Sequence, residues 1–421
     1  MTRCIPAAGI NLFQGIYLLI REYEAKTGLP AMNLSLGNPD GIPPEDLREL
    51  QGRFARDSGY PYHAYAEESD LNGFAEAMVE LHGRIRVRDH EGLRALPIAG
   101  IKTATAFLAP ACGLHLPDKS RRHSFFLASN LPAYDVVGTW TEGYLGAERI
   151  AWPLSTADGM RLSVPRLEAA LRARGAARAD LIHVIRPGNP ASVGASEVEW
   201  KELIAHCLER GTRLVNDAAY AGLADEEDHV PLAAVAAGFG GLEWMELYSV
   251  SKSFSDPGAR LGAAVGTRDF ISDFVVIKGN SDSGPVPAVM AAYGEYFKDF
   301  EAPRHWLRQL RGLYGKRLDY VIAMFREAGL RQACPTNAGF FTLWKVPRRV
   351  LGVDLASDPR TRGLAPQEAF NRLVICETGI VGVHFQGDGE PLIRYAVCAD
   401  VLDPAFQRRF ETELERLQPE Y

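Results

Sequence analysis

The stretch Tyr248-Ser249-Val250-Ser251-Lys252-Ser253-Phe254-Ser255-Asp256-Pro257-Gly258-Ala259-Arg260-Leu261-Gly262 decides how the chain is read. It joins two apolar runs with the composition of buried strands, Trp244 to Tyr248 and Ala263 to Gly266. Hydroxyls, one lysine and one arginine are therefore crowded at a strand end. In parallel α/β sheets, ligands bind beyond the carboxyl ends of strands. A lysine in a loop is ordinarily a solvated surface charge, so the reading rests on what surrounds Lys252.

Two further loops of this kind lie upstream. Leu181 to Ile185 reads as a buried strand and leads into Arg186-Pro187-Gly188-Asn189-Pro190-Ala191-Ser192. Thr212 to Asn216 reads as the next strand and leads into Asp217-Ala218-Ala219-Tyr220. Between them, Ser196 and Glu199 form an S-x-x-E capping box. Trp200, Leu203, Ile204, Cys207 and Leu208 follow at helical spacing, and Gly211 ends the helix. Ser124 to Ala128 is another short strand. Strand, helix, strand at this spacing predicts an α/β fold with a largely parallel sheet. The last third changes character. Ala302 to Leu330 is a long, amphipathic, arginine-rich helix, and Gly339 to Trp344 and Leu392 to Tyr395 are short strands, which predicts a smaller α+β domain.

The 421 residues are 47% hydrophobic and 24% charged, enough apolar content to bury a sizeable core. A net charge of -7 and a pI near 5.9 give no electrostatic reason to bind nucleic acid or an anionic membrane. Mean hydropathy is -0.12, and no apolar run is long enough to span a bilayer. Met1 to Gln14 does not read as a signal peptide. Cys4, Cys112, Cys207, Cys334, Cys376 and Cys398 are scattered without a CxxC pair, as expected of reduced thiols in a cytoplasmic protein. The ten histidines show no HExxH or zinc-finger spacing, so no metal site is expected. GxGxxG after a strand and GxxxxGK[ST] are both missing, which argues against nicotinamide-dependent dehydrogenases and nucleotide triphosphatases.

In this order, the three loops resemble the fold-type I pyridoxal-phosphate (PLP) enzymes of the aminotransferase class I/II family. The segment around Lys252 matches that family's S-x-S-K-x-F-x-x-x-G-x-R-x-G pattern. Asn189 precedes Asp217 by 28 residues, Lys252 follows Asp217 by 35, and Arg260 follows Lys252 by eight, intervals typical of the family. The resemblance covers nearly the whole chain. It implies a mostly parallel seven-stranded sheet with helices on both faces in a large domain, plus a small α+β domain. The expected division is an N-terminal arm and part of the small domain in residues 1–44, a PLP-binding domain in 45–295, and a small C-terminal domain in 296–421.

The resemblance also implies roles. Lys252 would bond the cofactor as a Schiff base and then shuttle the substrate Cα proton. Asp217 would keep the pyridine nitrogen protonated, making the ring an electron sink. Tyr220 and Asn189 would hydrogen-bond the ring 3′-oxygen. Ser249, Ser251 and Arg260 would bind the phosphate, where the planar guanidinium suits its oxygens. Gly100, in Leu96-Pro97-Ile98-Ala99-Gly100-Ile101-Lys102, matches a turn that opens a helix toward the phosphate, with contacts from Ile101 and Lys102. Read alone, it is a turn glycine. Tyr134 would stack on the ring. Tyr65 matches a tyrosine that reaches the phosphate from a neighbouring subunit, implying a homodimer with shared active sites. Gly37 would lie near the substrate carboxylate. Arg394 would bind that carboxylate, with a structural ion pair as the competing reading.

The closest branch is that of the LL-diaminopimelate aminotransferases, which Ile277-Lys278-Gly279-Asn280-Ser281-Asp282-Ser283-Gly284 resembles. Glu68 matches an acidic residue facing the distal amine of the substrate there. Beside Glu67 and Asp70 it also reads as an ordinary solvated carboxylate. The expected reaction is ping-pong amino transfer from an L-amino acid, with basic and diamino acids as candidates, to a 2-oxo acid. Two departures keep a second reading open, namely elimination, substitution, cyclisation or oxidation on the same fold. The family's N-P-T-G is here Asn189-Pro190-Ala191-Ser192, and its P-G-x-x-F-G segment is reduced to His384-Phe385-Gln386-Gly387-Asp388-Gly389.

Overall fold

A computed structural model describes residues 12–116, 125–134 and 136–421. Cys4, Ser124 and all but the last three residues of the Met1 to Gln14 stretch lie outside the described residues. The other five cysteines are free thiols. Among the described residues, no helix is long and apolar enough to cross a membrane.

The chain divides into two compact units. The larger holds Asn38–Leu313 and Pro335–Gly339. Its sheet has seven strands: β1 (Leu93–Ile98), β2 (Phe126–Leu131), β3 (Glu148–Pro153), β4 (Leu181–Ile185), β5 (Arg213–Asp217), β6 (Trp244–Ser249) and β7 (Gly262–Thr267). They lie in the order β1-β7-β6-β5-β4-β2-β3. The pairs from β3 to β6 are all parallel, while β7 is antiparallel to both of its neighbours. Every residue of β4 and β6 is buried, which is why both read as largely apolar runs, broken only by His183 in β4 and by Glu246 and the terminal Ser249 in β6, rather than as alternating ones. The helix Glu197–Arg210 connects β4 to β5. Its Ser196 and Glu199 make the reciprocal capping box, and Gly211 closes it in the left-handed conformation.

The smaller unit holds the chain up to Gly37, then Tyr314–Cys334 and Phe340–Tyr421. Its three-stranded antiparallel sheet is β8 (Phe341–Lys345), β9 (Val383–Gln386) and β10 (Pro391–Ala396), in the order β9-β10-β8. Met32–Asn33 pairs in parallel with Ile380–Val381 and ties the N-terminal segment to this unit.

The boundaries fall at Gly37/Asn38 and Leu313/Tyr314, against the expected 44/45 and 295/296. The second lies inside one continuous helix, Glu301–Glu327. Its first half belongs with the larger unit, where Trp306 donates to the Ser253 carbonyl (2.9 Å) and Arg311 pairs with Asp225 (2.8 Å). Its second half packs in the smaller unit, where Phe325 meets the rings of Trp344 and Tyr395. An uninterrupted amphipathic period carries no mark of such a change of partner.

The last glycine of the Lys252 segment has a structural cause. Gly262 opens β7 opposite Ser249, and a Cβ there would lie 2.3 Å from the Tyr248 carbonyl oxygen. Backbone has no room to yield at such a distance. Gly258, in the same segment, has open space around it. Gly262→Ala is therefore expected to cost roughly 2–3 kcal/mol by overpacking. Gly258→Ala should stay within about 0.5 kcal/mol of the parent. Urea unfolding of the two variants makes the comparison, and equal losses would remove the steric explanation.

Candidate active site

Three adjacent parallel strands end on one side of the sheet. Ile185 closes β4, Asp217 closes β5 and Ser249 closes β6, with Ile185 and Asp217 in register. The loops that follow line a cavity of about 400 Å³ in the larger unit. It gathers Asn189, Asp217, Tyr220, Ser249, Ser251, Lys252 and Arg260 from the three loops, with Ile101, Lys102 and Tyr134 from elsewhere. Tyr65 and Glu68 do not line it, nor do Gly37 and Arg394, which belong to the smaller unit.

One end of the cavity is built for an anion. Ser249 caps the short helix Val250–Ser253. Its hydroxyl accepts from the Ser251 amide (3.1 Å) and donates to the Ser251 hydroxyl (2.9 Å). Arg260 has positive φ and donates to the Pro257 carbonyl (3.2 Å), which holds its guanidinium beside Gly100. Gly100 has φ +83°, a conformation that strains any side chain, and a Cβ there would lie 2.6 Å from Arg260 Nη2, so the guanidinium would have to move aside. Gly100 precedes the helix Ile101–Thr105. Lys102 on that helix and Arg260 are both solvent-facing cations lining the same cavity.

The other polar feature is Asp217. Its carboxylate has one hydrogen bond, from the Ala219 amide (3.0 Å), and burial pushes its pKa up to about 6. Nearby, Asn189 Nδ2 donates to the buried Tyr220 hydroxyl oxygen (3.4 Å). The Asn189 carbonyl accepts from the Tyr134 amide (2.9 Å), so the Asn189 loop also places Tyr134.

This loop is held from below. Asn216 Oδ1 accepts from the Arg186 amide and its Nδ2 donates to the Arg186 carbonyl, both at 2.9 Å. The same Nδ2 donates to Glu246 (2.7 Å). Glu246 also accepts from Tyr248 Oη and from the amides of Leu232 and Ala233. Burial raises the Glu246 pKa, and those four donors work against the shift.

His183 also lines the cavity and escaped the sequence reading. The available signal was alternation. Ile185, two residues on, is on the same face of β4, and a lone histidine within Leu181-Ile182-His183-Val184-Ile185 must meet something polar.

In the smaller unit, Arg394 is buried and donates to the Ser35 carbonyl. Its guanidinium lies 4.3 Å over the Phe341 ring. A Cβ on Gly37 would meet that same ring at 2.9 Å. Phe341 therefore brings the segments of Gly37 and Arg394 together. Glu68 forms an ion pair with Arg94, and Tyr65 is 84% exposed.

The residues fit PLP on three counts. The cavity has a hydroxyl-and-cation cradle that a Cβ at Gly100 would fill, an amine within it, and a carboxylate whose burial favours a cationic partner. Comparison with known proteins agrees. The model of the family described as aminotransferase class I and II matches residues 128–386. An LL-diaminopimelate aminotransferase of Nitratidesulfovibrio vulgaris is 25% identical over 417 residues, covering 94% of this chain and 95% of its own. One from Syntrophobacter fumaroxidans is 27% identical, covering 92% of each. Among solved structures, a double mutant of Thermus thermophilus aspartate aminotransferase aligns with a TM-score of 0.74 at 18% identity. It covers 99% of this chain and 98% of its own, and the likeness is one of fold.

Asp217 makes the site's stability depend on pH. Its folded pKa, near 6, is above its unfolded value of 3.8, so the folded chain holds the extra proton between those values. Stability then falls as pH rises through that window. In the cofactor-free chain, Asp217→Asn should be more stable than the parent by about 1–3 kcal/mol at pH 7, with the difference vanishing below about pH 4. Unfolding of both proteins from pH 4 to 8 measures this. A variant less stable than the parent at pH 7 would contradict it.

Proposed function

The chain belongs to the aminotransferase class I and II family, and on that premise we propose that it moves an amino group from an L-amino acid to a 2-oxo acid in two half-reactions. The observation that carries this reading is the presence of Lys252 and Asp217 in one cavity with an anion cradle at its end. The cofactor, pyridoxal 5′-phosphate, supplies an aldehyde that bonds amines reversibly and a ring that accepts electrons.

Each side chain then has a task. Lys252 Nζ would hold the cofactor covalently and, once free, would move a proton to and from the substrate Cα. Asp217 would pair with the ring nitrogen, and a cation there would lower the carboxylate's raised pKa. Tyr220, with Asn189 3.4 Å from its hydroxyl, would hydrogen-bond the ring 3′-oxygen. Tyr134 would stack on the ring. Ser249, Ser251, Arg260 and Lys102 would hold the phosphate, with Gly100 and Ile101 contributing backbone. Arg394 takes the substrate α-carboxylate near Gly37. Its seat on an aromatic face suits a guanidinium meant for an external anion.

The relatives' names suggest a diamino dicarboxylate. Glu68 and its partner Arg94 do not line the cavity of their own chain, so in this reading they meet the distal end of the substrate from across the dimer. A carboxylate beside a guanidinium matches a distal end carrying both ammonium and carboxylate, whereas Glu68 alone would suit any basic side chain. The enzyme works as a cytoplasmic homodimer in this reading. Five free thiols support a reducing compartment, and the exposed ring of Tyr65 supports a role toward the partner subunit.

Purified protein should show the absorption of lysine-bound PLP, and the correct amino donor should convert it to the amine form of the cofactor. Lys252→Ala should lower turnover by about 10³-fold or more. A variant that still completed many turnovers would sink the assignment. Arg94→Ala should raise KM severalfold for diamino dicarboxylates and leave it unchanged for lysine. An equal rise for both would remove the distal-end reading.

A further inference from the structure

A second cavity, of about 810 Å³, lies in the larger unit and shares no lining residue with the first. One wall is the helix Glu301–Glu327, which presents Arg304, Arg308 and Arg311 at positions i, i+4 and i+7, a single helical face. Another wall is the end of the helix Phe74–Gly83, with His82 in its last turn and Arg84 just beyond it. The floor includes Ala221 and Gly222, immediately after Tyr220.

Charge in this cleft is unevenly paired. Asp225 is taken by Arg311 (2.8 Å), and Glu80 by Arg86 (3.0 Å). Arg84, Arg304 and Arg308 have no carboxylate partner among the described residues. Arg84 reaches only the Glu226 carbonyl, and Arg304 lies over Phe300. Glu226 and Glu227 line the rim as well. His82 lies buried beside the arginines. Its pKa is lowered to about 3, by burial first and then by Arg311 and Arg84, with no acid raising it. Arg84, Arg304 and Arg308 remain the cleft cations without an ion-pair partner among the described residues, which is what an anionic ligand needs.

The floor is the reverse side of the catalytic loop. Arg311 donates to the Gly222 carbonyl (3.3 Å). A Cβ on Gly222 would meet Ser253 Oγ at 2.6 Å and His82 Cε1 at 2.8 Å. Gly222 is thus wedged between the cleft residue His82 and the neighbour of Lys252, two residues from Tyr220. Arg311 thus links the cleft to the backbone two residues after Tyr220.

We propose that this cleft is an effector site for a small molecule bearing at least two anionic groups, carboxylate or phosphate, which binds Arg84, Arg304 and Arg308 and acts on the cofactor pocket through the Tyr220–Gly222 loop. A volume of this size admits such a ligand. Paired anionic groups match guanidinium forks one helical turn apart. The coupling, though not the binding, rests on the function proposed above.

The test uses the PLP-loaded enzyme and two probes, citrate and pyrophosphate, in separate calorimetric titrations. At least one should bind saturably, and the probe that binds more tightly identifies carboxylate or phosphate as the source. Arg304→Ala/Arg308→Ala, at two exposed positions outside the cofactor pocket, should weaken binding by at least about 10-fold. Arg172→Ala, a solvated control on another helix, should not. Saturation should also shift the pH titration of cofactor absorbance, which reports on Tyr220 and Asn189, and the double variant should lose that shift. Absence of saturable binding, equal affinity in the double variant, or binding with no spectral response would each overturn the proposal. A preparation with no cofactor absorption would fail the aminotransferase reading instead, and calorimetry would still decide whether the cleft binds.

Discussion

A carboxylate placed where solvent is scarce, and met by no side-chain cation among the described residues, governs this molecule. Asp217 ends a parallel strand with a single amide for its charge, and burial lifts its pKa to about 6. Such a group holds its proton more tightly than a solvated carboxyl, and a cation brought beside it would lower its pKa again. The rest of the larger unit holds that carboxylate in place. The parallel register sets Asp217 beside Ile185 and Leu247, and the Asn216 amide and the Glu246 carboxylate hold the next loop at its backbone.

The Glu246 network shows how a polar group deep in a sheet can serve a site it never touches. Glu246 is fully buried, yet four donors satisfy it and it fixes which way Asn216 faces. Asn216 then grips both polar groups of the Arg186 peptide, three residues before Asn189. A half-satisfied arrangement would cost more than an apolar one, so completeness is what makes this network tolerable.

Much of this was legible locally. The capping box at Ser196 and Glu199, the strand Leu181–Ile185 and the glycine stop at Gly211 depend on neighbours a few residues away, and all appear where the sequence put them. The site loops were legible because their chemistry is unusual for strand ends. What escaped depended on distance along the chain. Ala263 to Gly266 looks like any buried strand, and its antiparallel direction is set only by its neighbours. Glu68 is engaged by Arg94, 26 residues away, which neither residue announces. The arginine cleft assembles from three separated segments, each of which alone reads as solvated surface. The helix Glu301–Glu327 changes partners at its middle with no interruption in its period.

The lysine segment leaves the sheet at Ser249 and returns at Gly262, and those two residues are opposite one another on the same rung of the ladder. The ladder continues one step into the excursion, where the Val250 amide donates to the Leu261 carbonyl. Beyond that step the segment is tied to the rest of the larger unit. Trp306 holds the Ser253 carbonyl, Gln51 and Tyr293 both donate to Asp256, and the Phe254 ring packs among Tyr293, Tyr296 and Phe297. The lysine amine is therefore placed from two directions, by the rung beneath it and by the aromatic wall beside it, and a change of length between Phe254 and Arg260 would be felt at both.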